Sequence, residues 1–304
     1  MSSNAEDVPA IETEHLTKCF GRTLAVKGLA LQVAPGSTFG LIGPNGAGKS
    51  TTIKMLMGVL KPTGGRARLL GRDVLAQSLE VRQHVGYVPE VHNVDRWMRV
   101  GHAVGFCRSL YDSWNDKTCR QMLDLFRLDP NQKVKHLSKG MKVKLSLVLA
   151  VSHEPQLLIL DEPMAGLDPL AREEFLDGVL RTICDRGQTV LFSTHSLDDV
   201  QRLADTVGML YEGKLLVHRK IDELLRSTKR LRATLRDGWR PTQVPDNTIW
   251  QRLQGREWLV TVGDFSPQAA QQLQSQDGVE NVEVLDLGLE DLFKDFVRGQ
   301  RAAS

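Results

Sequence analysis

Short apolar runs alternate with segments of helical length and spacing from Ile11 to about Ile221. The runs that predict strands are residues 30–33, 38–42, 67–70, 85–88, 157–160, 189–193 and 207–210. Several are apolar on both faces, which is typical of parallel strands covered by helices on each side of a sheet. Helices are predicted directly after four residues: Gly48, Ser138, Pro169 and Ser196. The alternation of strands with helices indicates an α/β fold.

Two parts of the chain depart from this alternation. Residues 91–135 contain no strand-like run and carry helical spacing, which predicts an inserted helical subdomain extending over about 91–152. After Leu224 the sequence becomes basic and then turn-rich. It continues with a strand-like segment at 248–262, a helix at 267–275, a strand at 282–285 and a helix at 289–297. The pattern predicts a main domain over 1–228 and a small α+β domain over 229–304.

Composition narrows the classes of function. The 304 residues carry 39 Lys plus Arg against 37 Asp plus Glu. The resulting net charge of +2 is too small to indicate binding to nucleic acid or to an acidic membrane surface. The four cysteines, Cys19, Cys107, Cys119 and Cys184, are scattered and fit reduced thiols. The N-terminus lacks the basic and apolar segments of a signal peptide. No apolar stretch approaches the roughly 18 residues that a membrane-spanning helix needs. We expect a soluble chain that reaches a membrane only through a partner.

The strongest motif is a phosphate-binding loop. Its residues are Gly43, Pro44, Asn45, Gly46, Ala47, Gly48, Lys49 and Ser50, an instance of GxxxxGK[ST], and Thr51 continues into the predicted helix. The strand and helix that this motif requires stand on either side of it. Glycines let several backbone N–H groups converge on phosphate oxygens, and the helix adds its positive N-terminal dipole. Lys49 is predicted to reach the outer phosphates of a nucleotide, and Ser50 to offer its hydroxyl to Mg²⁺.

Two carboxylates follow the apolar run at 157–160. Parallel strands deliver such residues to the carboxyl edge of the sheet, where ligands bind in doubly wound folds. Asp161 is therefore predicted to hold Mg²⁺, directly or through water, and Glu162 to act as general base for the attacking water. A strand that simply ends in an acidic turn is the alternative, and the phosphate loop in the same chain favours the functional interpretation.

A second helix start carries the residues Leu137, Ser138, Lys139, Gly140 and Met141. Ser138 is a natural N-cap, and exposed N–H groups at a helix start are another device for binding phosphate. An ordinary phosphate-loop enzyme does not need two such devices. The segment resembles the signature motif of ATP-binding cassette (ABC) proteins, usually LSGGQ.

Further segments resemble that family in the same order and spacing over residues 11–224. Residues 165–169 resemble its D-loop, residues 193–195 its switch histidine, and residues 17–21 the entry segment whose aromatic residue stacks on adenine. The resemblance implies a phosphate-loop NTPase with a RecA-like mixed sheet. It also implies a head-to-tail dimer in which ATP lies between Lys49 of one subunit and Ser138, Gly140 and Asp168 of the other. Phe20 is then the adenine platform, and His195 contacts the γ-phosphate and the water.

Three positions depart from the family pattern. Glu90 stands where the family has a glutamine that contacts Mg²⁺ and links to the membrane partner; a carboxylate can still bind Mg²⁺ but adds negative charge near the phosphates. Lys139 replaces a glycine, and it either attracts the partner's γ-phosphate or points to solvent. Met141 replaces a glutamine of the signature.

The resemblance implies a bacterial, Mg²⁺-dependent ATPase subunit that energises separate transmembrane permease subunits. Such a subunit is a homodimer or a heterodimer, lies on the cytoplasmic side of the plasma membrane and is similar to those of exporters. The alternative is a soluble cassette protein acting on ribosomes or DNA. Against it stand the single set of motifs and the short gap between Ser50 and Ser138, which shows no heptads. A phosphate-loop kinase or GTPase leaves the Ser138 segment and Asp168 unexplained.

Overall fold

The computed structural model describes residues 8–91, 94–182 and 187–302. The chain forms two compact units, the first ending at His218 and the second beginning at Arg219. The sequence boundary proposed at 228–229 lies farther along, after helix α8 (Ile221–Ser227). The end of that helix is held within the second unit, because the Ser227 carbonyl accepts a 2.7 Å hydrogen bond from the Phe265 N–H.

A six-stranded sheet, in the order β10-β9-β3-β8-β7-β6, forms the core of the first unit. Its strands are β3 (Thr38–Ile42), β6 (Val85–Val88), β7 (Leu157–Leu160), β8 (Thr189–Thr194), β9 (Thr206–Tyr211) and β10 (Lys214–Lys220). The pairs β3–β8, β3–β9, β6–β7 and β7–β8 are parallel, so these strands end at one edge of the sheet. Residues of β3, β7 and β8 are buried throughout. The predicted α/β fold is therefore confirmed.

An antiparallel sheet in the order β2-β1-β4-β5 lies beside this core. It consists of β1 (Ile11–Phe20), β2 (Thr23–Val33), β4 (Gly64–Leu69) and β5 (Arg72–Asp73). The apolar runs at 30–33 and 67–70 predict parts of β2 and β4, whereas β1 is not predicted. Only Ile11, Thr13 and Leu16 of β1 are buried, and its glutamates form cross-strand ion pairs with Arg66 and Arg68.

Helices flank the sheets and fill the segment after β6. They are α1 (Lys49–Leu56), α2 (Ser78–His84), α3 (Val100–Arg108), α4 (Asp116–Leu125), α5 (Lys139–Val151), α6 (Pro169–Thr182) and α7 (Leu197–Leu203). The four predicted helix starts correspond to α1, α5, α6 and α7. In the described part of residues 91–152, the β structure is limited to one isolated bridge, Arg99 to Lys133.

The second unit is an antiparallel sheet in the order β12-β13-β11-β14, with two helices in addition to α8. The elements are β11 (Lys229–Leu235), β12 (Thr248–Gln254), β13 (Glu257–Val262), α9 (Pro267–Gln274), β14 (Val279–Asp286) and α10 (Leu289–Ala302). The single strand-like segment at 248–262 is in fact a hairpin, β12–β13. Among the helices of the described ranges, none combines the length and apolarity needed to cross a bilayer.

Cys19, Cys107 and Cys119 are free thiols, as the scattered spacing predicts, while Cys184 lies outside the described residues.

Candidate functional site

The loop between β3 and α1 is shaped by two glycines with no room for a side chain. A Cβ at Gly43 would come within 2.3 Å of the Leu210 carbonyl oxygen. At Gly48, where φ is +106°, a Cβ would come within 2.6 Å of the Ala25 carbonyl oxygen. Gly48 is also the N-cap of α1 and supplies no capping side chain. The first N–H groups of the helix therefore face the loop, where an anion can accept hydrogen bonds from them.

Lys49 is buried at the start of α1, with 5% of its surface exposed. Its Nζ donates hydrogen bonds to the carbonyls of Gly43, at 2.6 Å, and Pro44, at 3.2 Å. The same Nζ lies 3.1 Å from Oε1 of Glu162. The ammonium group thus stands inside the loop that curls around it, next to the predicted general base.

Asp161 stands at the carboxyl end of β7 and is 1% exposed. Its Oδ1 accepts hydrogen bonds from the hydroxyls of Ser50 and Ser193, both at 2.9 Å. Within the described chain, its buried Oδ2 has no hydrogen-bond partner. Burial raises the pKa of this carboxyl group; the Ser50 and Ser193 hydrogen bonds oppose that rise, and the charge of Glu90 adds to it.

A cation beside Asp161 would satisfy the unpaired oxygen and lower the carboxyl pKa again. Burial, together with the charges of Asp161 and Glu90, also raises the pKa of Tyr87 in β6 to about 12. Asp161 and Glu90 thus place two carboxylates at this edge of the sheet, and carboxylate oxygens are ligands that Mg²⁺ prefers. Ser50 and Asp161, two of the three predicted Mg²⁺ ligands, are hydrogen-bonded to each other. Their hydroxyl and carboxylate oxygens fit the ion, because Mg²⁺ prefers oxygen ligands.

Glu162 is held in a conformation that few residues other than glycine adopt, with φ at +45°. Its N–H donates to the Ser193 hydroxyl at 2.9 Å, and its Oε2 lies 3.0 Å from Nδ1 of His195. His195 follows β8 directly, and its side chain is 57% exposed. Strained backbone of this kind is tolerated where the surroundings fix it, and here it directs the Glu162 carboxylate between Lys49 and His195.

A cleft of about 420 Å³ opens onto these groups. Its lining consists of Ala25, Asn45, Gly46, Gly48, Lys49, Ser50, Thr51, Glu90, Glu162, Ala165 and His195. Nine of these eleven residues belong to the predicted site; Ala25 and Ala165 do not. Apart from Ala25 in β2, the lining comes from four sequence segments far apart in the chain, which meet here because parallel strands end at the same edge.

The remaining predicted residues do not line this cleft. Phe20 ends β1, is half exposed, and has the Lys18 ammonium 5.2 Å from its ring centroid. Ser138 caps α5 by accepting a 3.1 Å hydrogen bond from the Met141 N–H, and it is exposed. Asp168 caps α6 by accepting a 2.9 Å hydrogen bond from the Ala171 N–H. Within one chain, the signature helix start and the phosphate loop are thus separate features.

Lys139 and Gly140, two neighbouring residues of the signature, have different environments. Lys139 is exposed, but its Nζ lies against Gly166, where a Cβ would come within 2.5 Å of it. Gly140 packs closely on α6, because a Cβ there would meet that of Ala171 at 3.1 Å. Glu90, which stands where the family has a glutamine, is exposed and lines the cleft.

Ser193 is the main site residue to which the sequence assigned no role. It binds both Asp161 and the Glu162 backbone, and it is fully buried. The signal available was its place at the end of an apolar strand, two residues before His195. One serine at the end of an apolar strand carries no specific signal, so pattern alone did not distinguish it.

Comparisons with known proteins agree with this geometry. Residues 26–165 match the ABC transporter family. The chain is 39% identical over 212 residues to the Nod factor export ATP-binding protein I of Paraburkholderia xenovorans, a match covering 67% of this chain and 69% of that protein. It is 32% identical to an uncharacterized ABC transporter ATP-binding protein, YhaQ, of Bacillus subtilis, over 92% of this chain and 96% of the relative.

A solved structure of an ATP binding subunit of an ABC transporter is similar with a TM-score of 0.65 and 29% identity. The match covers 71% of this chain and 92% of that one. The matching family, these relatives and this solved structure are all of ABC transporters, which favours the transport class over the ribosome- or DNA-directed alternative.

Proposed function

Since this chain belongs to the ATP-binding proteins of ABC transporters, we propose that it hydrolyses ATP in the cleft around Lys49 and drives export through a separate membrane-spanning permease. One observation carries the proposal. The phosphate loop, the carboxylates after β7 and the histidine after β8 converge on one cleft, with Glu162 held between Lys49 and His195. An export direction is supported by the Nod factor export relative.

Lys49 and the first turn of α1 bind the phosphates in this proposal. Lys49 exchanges the Gly43 and Pro44 carbonyls for phosphate oxygens, which are stronger acceptors because they are charged. Glu162 accepts a proton from the attacking water, and His195 orients the Glu162 carboxylate and contacts the γ-phosphate. Phe20 supports the adenine ring by stacking.

Ser50 and Asp161, with Glu90 at the rim of the cleft, are the residues that would hold Mg²⁺. The unpaired Oδ2 of Asp161 is the structural observation that supports this assignment. When bound, Mg²⁺ neutralises the negative charge of the phosphates and of the developing transition state. Ser193 is hydrogen-bonded to both Asp161 and the Glu162 backbone, so it fixes the positions of the metal ligand and the general base relative to each other.

The site is completed by a second subunit in a head-to-tail dimer. Ser138, Gly140 and Asp168 lie outside the cleft of their own chain, so they are free to face the nucleotide of the partner. The Ser138 oxygen accepts the Met141 N–H, which leaves its hydroxyl proton available to a phosphate. The partner is a second copy of this chain or a different ATP-binding subunit.

The helical segment after β6 is the part of the chain that we assign to contact with the permease. It exposes large apolar side chains, with Trp97 69% and Phe106 56% exposed. Such exposed aromatic residues are typical of protein–protein contacts. Docked in this way, the subunit lies peripherally on the cytoplasmic side of the plasma membrane. Residues 219–304 form an accessory domain.

Co-purification tests the transport assignment. We expect the tagged chain, extracted with mild detergent from its native cells, to bring down a protein with several membrane spans encoded near it. Its ATPase activity in the complex should respond to permease variants. Recovery with ribosomes or DNA, with no membrane protein present, would contradict the assignment. A Trp97→Ala variant should lose the membrane protein and keep ATP binding, whereas Leu253→Ala, at an exposed apolar residue of the second unit, should retain both.

A further inference from the structure

Arg172, one turn into α6, reaches across to the segment that follows His195. Its Nε donates to Oδ1 of Asp199 at 2.8 Å, and its Nη2 donates to the same oxygen and to the Ser196 hydroxyl at 2.6 Å. One guanidinium group therefore holds two acceptors on the loop and helix after β8. A planar fork with several donors can make such a double contact, whereas an ammonium group cannot reproduce its geometry.

Asp199 extends this contact to the other side of His195. The carboxylate is 2% exposed, and its Oδ2 accepts a 3.2 Å hydrogen bond from the Thr194 hydroxyl. The Thr194 oxygen in turn accepts the Ser196 N–H at 3.0 Å. Both neighbours of His195 are thus fixed, although the histidine ring itself is largely exposed. The position of the ring against Glu162 depends on this network rather than on packing.

The backbone of Arg172 is hydrogen-bonded to Asp168, the residue that we assign to the partner's nucleotide. The Arg172 N–H donates to the Asp168 carbonyl at 3.0 Å, within the helix turn that Asp168 caps. A displacement of Asp168 would therefore be carried through one helix turn and one guanidinium group to the His195 loop. The path runs through hydrogen bonds and one buried charge, with no intervening flexible linker.

A second ion pair on α6 provides a comparison within the same helix. Glu174 pairs with Lys144 of α5, whose side chain is 8% exposed. This pair joins α6 to the helix that Ser138 caps, and within the described residues it forms no hydrogen bond or ion pair with the His195 loop. Removing it should affect how α6 packs and leave His195 in place.

We propose that Arg172 is a positioning residue for His195, and that it ties the orientation of the switch histidine to Asp168 at the proposed subunit interface. The inference rests on the catalytic role proposed for His195. Among the described residues, the Arg172 guanidinium group donates its hydrogen bonds to Ser196 and Asp199, neither of which lines the cleft. Its influence on turnover passes through Thr194 and Ser196, the residues on either side of His195.

Arg172→Lys tests the inference, because it keeps a positive charge beside buried Asp199 and removes the fork. We expect kcat to fall roughly ten- to a hundredfold, since a misplacement of about 1 Å in a reacting group can cost about a hundredfold. KM for ATP should change less than about twofold, because the phosphate loop is untouched. Glu174→Gln, which breaks the other ion pair of α6, should keep kcat near that of the parent.

Combination with His195→Ala separates the inference from the proposed function. We expect His195→Ala to slow turnover, and Arg172→Lys added to it to cause no further loss, because both act through one ring. Turnover that survives His195→Ala would remove the catalytic role and the inference together. A slow His195→Ala enzyme with a normal Arg172→Lys enzyme, or with additive losses, would overturn the inference alone. A folded protein is verified by its thermal unfolding midpoint.

Discussion

Glu162→Gln should stop ATP turnover while leaving nucleotide binding intact, and it should trap a dimer with ATP held inside. The amide keeps the size of the side chain and can still contact Lys49 and His195, but it cannot accept a proton from water. A positioned general base contributes roughly 10²- to 10⁴-fold, and the rate should fall by that order. Steady-state phosphate release measures the loss, and size-exclusion chromatography with ATP measures the dimer.

Glu173→Gln is the matched control, because it makes the same chemical change on an exposed residue of α6. It should hydrolyse ATP and change oligomeric state like the unmodified chain. Normal hydrolysis by Glu162→Gln would remove Glu162 from its role as base. Loss of ATP binding in that variant would indicate instead that the carboxylate mainly supports Lys49, which lies 3.1 Å away.

Lys49→Met should weaken ATP binding by about ten- to a hundredfold, because hydrogen bonds to charged groups contribute about 1.5–3 kcal/mol. Methionine preserves the apolar stem that lies buried in the loop and removes only the ammonium group. Fluorescence titration with a labelled ATP analogue measures the affinity, and hydrolysis should be lost with it.

Lys61→Met serves as the control, since Lys61 is exposed and follows α1 outside the cleft lining. It should bind ATP like the parent. If Lys49→Met bound ATP as tightly as Lys61→Met, the backbone N–H groups of the loop would suffice for binding. The ammonium group would then act only in the chemical step.

Sequence patterns predicted the α/β core well because its strands are buried on both faces. Such strands are continuous apolar runs, and β3, β6 and β7 begin and end at the predicted residues. Strands buried on one face were harder to recognise. In β11, Leu231, Ala233 and Leu235 are buried, while Arg230 and Arg232 gave the segment a basic character that hid the strand.

The phosphate loop and the carboxylates were predictable because neighbouring residues carry their chemistry. Contacts between distant segments were not. Ser193 lies 32 residues from Asp161, and Arg172 lies 27 residues from Asp199, so no local pattern joins them. Burial made both contacts necessary, because a carboxylate removed from water requires donors, and only the folded chain shows which donors reach it.

Mixing two defective chains tests the shared site most directly. Both carry Glu162→Gln so that bound ATP is retained. One also carries Lys49→Met. The other carries Ser138→Asp, which keeps an N-cap as good as serine but sets a negative charge against the partner's phosphate. Retention of ATP is measured after rapid gel filtration.

Neither chain alone should retain ATP, and an equal mixture should, because one of its two interfaces then combines an intact phosphate loop with an intact Ser138. Ser138→Thr, which keeps the hydroxyl, should behave like the parent throughout. Full ATP retention by the Ser138→Asp chain alone would contradict a nucleotide site built from two subunits. So would no retention by the mixture when the chain carrying only Glu162→Gln retains ATP.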